Sequence, residues 1–281
     1  MADTSLTSTT GVKFNPAITS KEIIDIREAN LGFEGTVSRR YLDEAGVGTT
    51  VAWPVITAIG ASSKTEGNDG NDITFTANTE TAVTLTINRH FYAAYEYEEF
   101  EESLSLHDQE AIYEKRIVYG VNLQIDDDLA GLVDNFSQTV GTLIVDLTDD
   151  DVRRAVQYLD DADAPDDRFF AMAPASKNSM LSIDRYNSSD FNAGGGGNIV
   201  RGSFGTIYGL NSWHSTNVEG TNAAGHDNGV YQSDAIALGL RMNTRVRKQD
   251  DIDNLSFKVA ASAIWGAIET RDDHGVFAKG A

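Results

Sequence analysis

The chain has 281 residues and no cysteine, which excludes disulfide scaffolds, zinc ribbons and thiol catalysis. Its 43 acidic and 22 basic residues give a formal charge of −21, and a chain this negative is repelled by phosphate backbones, so sequence-independent nucleic-acid binding is disfavoured as its main function. The longest nearly apolar run, residues 51–61, contains Pro54 and is shorter than the ~20 residues that span a bilayer, so no membrane partner is expected.

Aspartate is the commoner of the two acidic residues, and lysine is the rarer of the two basic ones. Asp outnumbers Glu by 28 to 15, and Lys is scarce, with 8 residues against 14 Arg. A negative surface of any kind favours solubility. By analogy, an Asp-rich and Lys-poor surface is also typical of proteins from saline cytoplasm, and we therefore predict a halophilic host.

The first 46 residues are predicted to form an N-terminal arm. The segment is polar as far as residue 20, and it includes a short amphipathic stretch at 21–28 that contains Ile23, Ile24 and Ile26. A polar segment of this kind cannot bury itself, so we expect it to be disordered or to lie over a neighbouring chain.

Residues 47–90 are predicted to form an extended hairpin loop. Apolar and polar residues alternate at 50–56, 73–76 and 83–87, and turn-forming residues fill 65–72. Because isolated hairpins are marginally stable in water, this one is expected to rest on another chain. The side chains that such a contact would cover only on assembly are Trp53, Val55, Phe75 and Leu85.

The remaining pattern predicts an α+β fold. A long helix begins near Ser105 and runs without proline for roughly thirty residues, about 45 Å at 1.5 Å per residue. A second helix begins at Thr148, where Asp149, Asp150 and Asp151 suit its positive end. Further elements are predicted in the order strand 168–173, helix 175–183, loop 194–197, and strands 205–212, 229–240 and 255–270.

No pattern indicates catalysis, a cofactor or a metal ion. The aspartate triplets at 126–128 and 149–151 lack the spacing of a cation-binding loop, and we interpret them as solvated helix faces. The five histidines include no H-x-x-x-H pair, the glycine run at 194–197 is not followed by Lys-Ser or Lys-Thr, and no G-x-S-x-G occurs.

One basic patch stands out against the acidic background. It consists of Arg241, Arg245, Arg247 and Lys248, and acidic residues follow it at 250–253. The patch could form surface salt bridges within one subunit. It could instead meet acidic helices of a neighbouring subunit and set its orientation, which we favour slightly.

The order of these parts resembles the major capsid proteins of tailed double-stranded DNA viruses. The similarity covers most of the chain from about residue 47 and is carried by short phrases as well as by element order. The strand at 85–100 and the helix at 105–132, with Ile125-Asp126, resemble the entry to that family's spine helix. The phrases that resemble its axial domain and its C-terminal return are 159–161 with Pro165 and Arg168, 170–174, 180–181, Gly202, Gly205, 207–210 and 267–277.

The resemblance implies a domain plan of five parts. These are an arm (1–46), an extended hairpin loop (47–90), a peripheral domain with the spine helix (91–147), an axial domain (148–250) and a return to the peripheral domain (251–281). Relatives often carry a long N-terminal scaffolding segment, for which this chain has no room, so a separate scaffolding protein or none is expected. Cross-linking through Lys64 is not expected.

The implied function is self-assembly into hexamers and pentamers of an icosahedral shell around double-stranded DNA. The DNA would be held without sequence-specific contact, and the chain would work in the virion after assembly in the host cytoplasm. Portal and decoration proteins would be further partners. Two alternatives stay open: an encapsulin-like nanocompartment that encloses a cargo enzyme, and a hydrolase that uses buried carboxylate pairs.

Overall fold

The structure is a computed structural model, and it describes residues 28–29, 31–39, 48–56, 59–64, 73, 75, 77, 80–104, 109–187 and 205–281. Most of the predicted arm, the predicted helix start at Ser105 and the glycine run at 194–197 lie outside these residues. The predicted strand at 73–76 lies partly outside them, and its described members belong to no strand.

The described elements follow one another in a mixed order of strands and helices. The strands are β1 (Thr50–Ile56), β2 (Glu80–Thr86), β3 (Arg89–Glu98), β4 (Gln138–Gly141), β5 (Arg168–Met172), β6 (Thr206–Ile207), β7 (Leu210–His214), β8 (Gly220–Thr221), β9 (Gly225–Gln232), β10 (Ile236–Asp251), β11 (Ser256–Glu269) and β12 (Gly275–Gly280). The α-helices are α1 (Phe33–Thr36), α2 (Glu99–Leu104), α3 (Gln109–Ala130), α4 (Asp149–Asp161), α5 (Pro174–Leu181) and α6 (Asp184–Asn187). Short 3₁₀ turns occupy Val133–Asn135, Ser233–Ala235 and Asp272–His274.

A three-stranded antiparallel sheet carries the long helix. Its strand order is β10-β11-β3, and the long β10–β11 pair contains register shifts between Leu240 and Arg245. The helix α3 packs on one face of this sheet, where Val259, Ala261, Ala263 and Trp265 alternate along β11 and are buried. At 22 residues, the described helix is about 33 Å long.

A second sheet has seven strands in the order β4-β12-β9-β5-β7-β6, with β8 paired to β9. Most pairs are antiparallel, but β4 pairs with β12 and β5 with β7 in parallel. One face of this sheet contributes Ala171, Tyr231 and Phe277 to the core beneath α3. The opposite face packs on α4 through a second core that includes Leu159, Phe170 and others.

The helix α4 begins as the sequence predicts. Thr148 is its N-cap and forms a capping box with Asp151: the Asp151 backbone N–H donates to the Thr148 hydroxyl, and the Thr148 N–H donates to the Asp151 carboxylate at 3.0 Å. Val152, Ala155 and Leu159 form its buried stripe. The predicted helix start at Thr148 is therefore confirmed.

The sheets divide the chain differently from the predicted domain boundaries. Strand β12, in the segment predicted to return to the peripheral domain, is inserted between β4 and β9 of the seven-stranded sheet. Strand β10, in the predicted axial segment, pairs with β11 along the three-stranded sheet instead. The chain crosses between the sheets three times in the described residues, so no single cut at 147 or 250 separates them.

The start of β12 is packed closely against Phe136, which follows the 3₁₀ turn at Val133–Asn135. A Cβ placed on Gly275 would lie 2.1–2.3 Å from three ring atoms of Phe136, which leaves room only for glycine.

No helix in the described part of the chain has the length and hydropathy that a membrane-spanning helix requires.

Candidate assembly surfaces

The hairpin of β1 and β2 presents most of its side chains to solvent. The two strands pair antiparallel, with Trp53 opposite Val83 and Val55 opposite Thr81. Val55 is 46% exposed and Phe75 is 91% exposed, while Trp53 is half-buried. Exposed apolar side chains on a projecting element are the kind of surface that a partner covers.

Leu85 does not belong to this exposed set. Its side chain is fully buried within its own subunit, so the prediction that Leu85 is covered only on assembly is wrong. The reason is that the end of β2 crosses the three-stranded sheet. A Cβ on Gly266 of β11 would lie 2.3 Å from the Thr86 carbonyl oxygen, so the backbones nearly touch and Leu85 is enclosed as β2 reaches the sheet.

The four basic residues of the predicted patch do not share one surface. Lys248 lies on the side of β10 that faces α3, where its Nζ is 2.5 Å from the Glu110 carboxylate and 5.1 Å from the centre of the Phe257 ring. Arg241 donates to the Gly48 carbonyl at the base of the hairpin. Two of the four are therefore already engaged within the subunit.

Arg245 and Arg247 remain exposed, and among the described residues neither has an ion-pair or hydrogen-bond partner. They lie on the face of the sheet that α3 leaves uncovered, opposite Ser262 and Ala260 of β11. A shallow groove of about 770 Å³ runs along this sheet, and its lining includes Arg247, Ala94 and Ala260. The lining also includes Glu96, which lies 3.7 Å from Lys258. The small side chains of β3 and β11 beside the unpaired Arg247 form a surface suited to a negatively charged partner.

A second exposed apolar surface lies at the far end of the same sheet and was missed from the sequence. Its members are Phe100 and Leu104 of α2 together with Ile252 (85% exposed) and Leu255 in the β10–β11 turn. The Glu99 N–H donates to the Leu255 carbonyl at 3.0 Å and joins the two parts. The available signal was the placement of Ile252 and Leu255 in a turn otherwise made of Asp and Asn.

The prediction that the aspartate triplets are solvated helix faces is wrong for Asp126 and Asp149, which have partners within the subunit, whereas Asp127 and Asp150 are exposed as predicted. Asp126 is buried, and its carboxylate accepts hydrogen bonds from the Phe33 backbone N–H at 2.9 Å and the Asn217 side-chain amide at 3.1 Å. Burial raises the pKa of Asp126, and these hydrogen bonds act against that rise. Asp128 accepts from the Trp265 indole N–H at 2.8 Å.

Asp149 organises a polar cluster at the start of α4. Its carboxylate accepts hydrogen bonds from the hydroxyls of Tyr186 at 2.6 Å and Tyr208 at 2.7 Å, and it forms an ion pair with Arg185 at 2.5 Å. Burial acts to raise the pKa of Asp149, but the two hydroxyls and the nearby arginines outweigh it and lower the pKa. Within the described ranges, no three acidic or histidine side chains are grouped to hold a metal ion.

Comparison with solved structures shows the fold. The chain is similar to a solved chain of Mycobacterium phage Che8 (TM-score 0.83, 19% identity, 94% of this chain and 97% of that one) and to the capsid structure of Cyanophage P-SCSP1u (0.78, 14%, 100% and 97%). It is also similar to the asymmetric unit of the bacteriophage PhiM1 mature capsid (0.75, 14%, 99% and 97%). No family model and no curated protein sequence matches the chain. The chain therefore has the α+β fold of tailed-phage capsid proteins.

The buried Leu85 and the half-exposed Val55 of the hairpin should differ in how much they stabilise the isolated subunit. We expect Leu85→Ala to lower the free energy of unfolding of the isolated subunit by about 2–5 kcal/mol, because it empties a fully enclosed site. Val55→Ala is the matched control, and we expect it to change subunit stability by less than about 0.5 kcal/mol, because that side chain is half exposed. Denaturant unfolding of the unassembled chain measures both. Equal losses in the two variants would contradict the distinction.

Proposed function

We propose that this chain is the major capsid protein of a tailed virus and self-assembles into hexamers and pentamers of an icosahedral shell that encloses double-stranded DNA. The observation that carries the proposal is the match of the whole chain to capsid subunits: it aligns over 100% of its length with 97% of the cyanophage capsid chain. The role is structural, and the proposal assigns no catalytic residue.

The comparisons do not favour the nanocompartment alternative. The similar structures from Cyanophage P-SCSP1u, bacteriophage PhiM1 and Myoviridae phage XM1 are phage capsids. The hydrolase alternative is not supported by Asp126 or Asp149, because their carboxylates are engaged by backbone, amide, hydroxyl and guanidinium donors of the fold itself.

The exposed surfaces support assembly through the hairpin. Its strands β1 and β2 pair only with each other among the described strands, and the apolar side chains of Val55, Ile56 and Phe75 are left in solvent. In the proposed shell, residues 47–90 reach over an adjacent subunit. If Val55 or Phe75 is fully covered there, each contributes ~1.5–3 kcal/mol.

The proposal extends to domains and partners. Residues 1–46 would act as the arm, 47–90 as the extended hairpin loop, 91–147 and 251–281 as the peripheral domain, and 148–250 as the axial domain. The packaged DNA is contacted without sequence specificity, and a negative wall repels it. Portal, scaffolding and decoration proteins complete the particle, which is assembled in the host cytoplasm.

Electron microscopy of the purified chain tests the proposal. We expect closed icosahedral particles, and we expect a variant that lacks residues 64–72 to remain folded, with an unchanged melting temperature, but to assemble poorly. Particles isolated from the native source should contain double-stranded DNA. A wild-type chain that stays monomeric under all conditions, or particles filled with one cargo protein, would overturn the proposal.

The exposed arginine pair is proposed to dock against an acidic surface of a neighbouring subunit. We expect R245E/R247E to reduce the yield of particles severalfold while changing the melting temperature of the subunit little, because both side chains lack partners within the subunit. Light scattering and thermal melting measure the two effects. The control is K248E, which breaks the contact with Glu110 and should lower subunit stability instead. Normal particles from the double variant would show that the pair is only surface charge.

The charge of −21 supports a halophilic host as a further part of the proposal. Closing many such subunits into one surface brings like charges together. The Debye length falls from ~8 Å at physiological ionic strength to ~3 Å at 1 M, so concentrated salt screens that repulsion. Excluded salts also strengthen apolar burial, which acts in the same direction.

We therefore expect particles to be stable in molar salt and to loosen or dissociate on dilution to about 0.1 M. Light scattering across a salt series, with the melting temperature of the unassembled subunit as a parallel measurement, separates assembly from folding. Particles that stay intact at low salt with an unchanged melting temperature would contradict the halophilic part of the proposal and leave the capsid function standing.

A further inference from the structure

The described end of the N-terminal arm is held against the long helix α3. Three contacts join them, and in order toward the N-terminus they are the Phe33 N–H donating to the Asp126 carboxylate (2.9 Å), the Ala29 N–H donating to the Tyr119 hydroxyl (2.9 Å), and the ion pair of Glu28 with Arg116 (2.7 Å). Each contact toward the N-terminus of the arm lies closer to the start of α3. The arm therefore runs antiparallel to the helix.

The spacing of these contacts shows how far the arm advances with each residue. Phe33 and Glu28 are five positions apart, and their partners Asp126 and Arg116 are ten positions apart on α3. Ten helical residues rise about 15 Å, and five extended residues span about 16 Å, so the contacts match a nearly extended path. On the same path, residue 26 would lie beside residue 112, and residues 23 and 24 would lie just beyond the start of the helix.

Apolar residues occupy these positions on both sides. Ile26, Ile24 and Ile23 belong to the amphipathic stretch at 21–28. Ile112 is partly exposed and lies one turn before Arg116, on the same face of α3 that the arm already contacts. The first step upstream of the Glu28–Arg116 ion pair would therefore bring an isoleucine of the arm beside an isoleucine of the helix.

The exposed apolar surface at the far end of the three-stranded sheet lies in the direction of this path. It is formed by Phe100 and Leu104 of α2 and by Ile252 and Leu255 of the β10–β11 turn, and we call these four side chains the end patch. Because α2 ends at Leu104 and α3 begins at Gln109, the end patch adjoins the end of the helix that the arm approaches. Exposed apolar patches of this kind are commonly covered by another segment or chain.

The charges around the end patch favour the arm as its cover over a second copy of the patch. Glu98, Glu99 and Asp253 are exposed at its border, so two such patches would bring like charges together. The segment at 21–27 has Lys21 before its isoleucines and Arg27 after them. These two basic side chains can meet the acidic border while the isoleucines between them cover the apolar centre.

We infer that residues 21–27 of the arm cover the end patch of their own subunit. Ile26 packs beside Ile112, and Ile23 and Ile24 pack on the end patch itself. The segment thereby removes from water an apolar surface that the described part of the subunit leaves exposed. The inference concerns the folded subunit and does not depend on the proposed function.

Disulfide trapping in the unassembled chain tests the position of the arm. The protein has no cysteine, so an introduced pair reports one contact only. We expect Ile26→Cys combined with Ile112→Cys to form a disulfide within one molecule, because the path brings the two residues together and a disulfide requires Cα atoms within about 7 Å. The matched control is Ile26→Cys with Val145→Cys, since Val145 is exposed but precedes α4 on the second sheet, and this pair should stay reduced.

Two results of the trapping experiment would contradict the inference. A first pair that stays reduced would show that the arm leaves α3 before residue 26. A disulfide that joins two molecules would show that the arm of a second copy lies at this end of the sheet.

Hydrogen exchange tests the cover without placing a substitution on the helix. We expect a variant in which serine replaces all three isoleucines (Ile23→Ser, Ile24→Ser, Ile26→Ser) to exchange the amides at 99–104 and 252–255 severalfold faster than the wild type, because the end patch loses its cover. The measurement uses the unassembled chain, so its failure would leave the proposed function standing.

A second serine variant is the matched control for the exchange experiment. It replaces three apolar residues further upstream in the arm (Val12→Ser, Phe14→Ser, Ile18→Ser), and it should exchange like the wild type. Unchanged exchange at 99–104 and 252–255 in the isoleucine variant, or equal increases in both variants, would overturn the inference.

Discussion

The close contact between α3 and β11 is the constraint on which the rest of the structure depends. Ala261 and Ala263 of β11 lie under the helix, and Gly120 of α3 faces Ala93 of the neighbouring β3. Small residues allow α3 to lie close to the three-stranded sheet. The larger Trp265 and Tyr97 fill the space at the two ends of this contact. One face of the three-stranded sheet is thereby covered by α3, whereas the other is exposed around Arg245 and Arg247.

The same packing fixes where the hairpin leaves the body. Strand β2 must pass Gly266 of β11 to reach the start of β3, and the enclosed Leu85 anchors it there. Among the described strands, β1 and β2 pair only with each other beyond that point. The hairpin is therefore rigidly attached at its base and exposed along its length, which suits an element that contacts another molecule.

Sequence patterns predicted the parts of the fold that local chemistry determines. The helix α4 follows from Thr148 and its aspartates, and β11 follows from the alternation of residues 257–263. Strand β12 was not predicted as part of the second sheet, because its partners β4 and β9 are set by long-range pairing that no local pattern encodes.

Predictions for the candidate surfaces failed in a related way. Sequence spacing grouped Lys248 with Arg245 and Arg247, whereas neighbouring residues of a strand face opposite sides, so Lys248 meets Glu110 and the arginines do not. Asp126 was interpreted as a solvated residue, because its partners Phe33 and Asn217 are remote in sequence.

The position of β12 has a consequence for how the chain is made. Strands β4 and β12 lie in opposite halves of the chain yet pair directly, and β12 also completes the edge of β9. Until residues 275–280 have been synthesised, β4 and β9 lack the strand that lies between them in the folded sheet, and the backbone groups that β12 will pair are unpaired. Strand pairs that are far apart in sequence form slowly, and until they form, the unpaired strand edges are prone to aggregation. A nascent chain of this protein would therefore complete its second sheet late in synthesis.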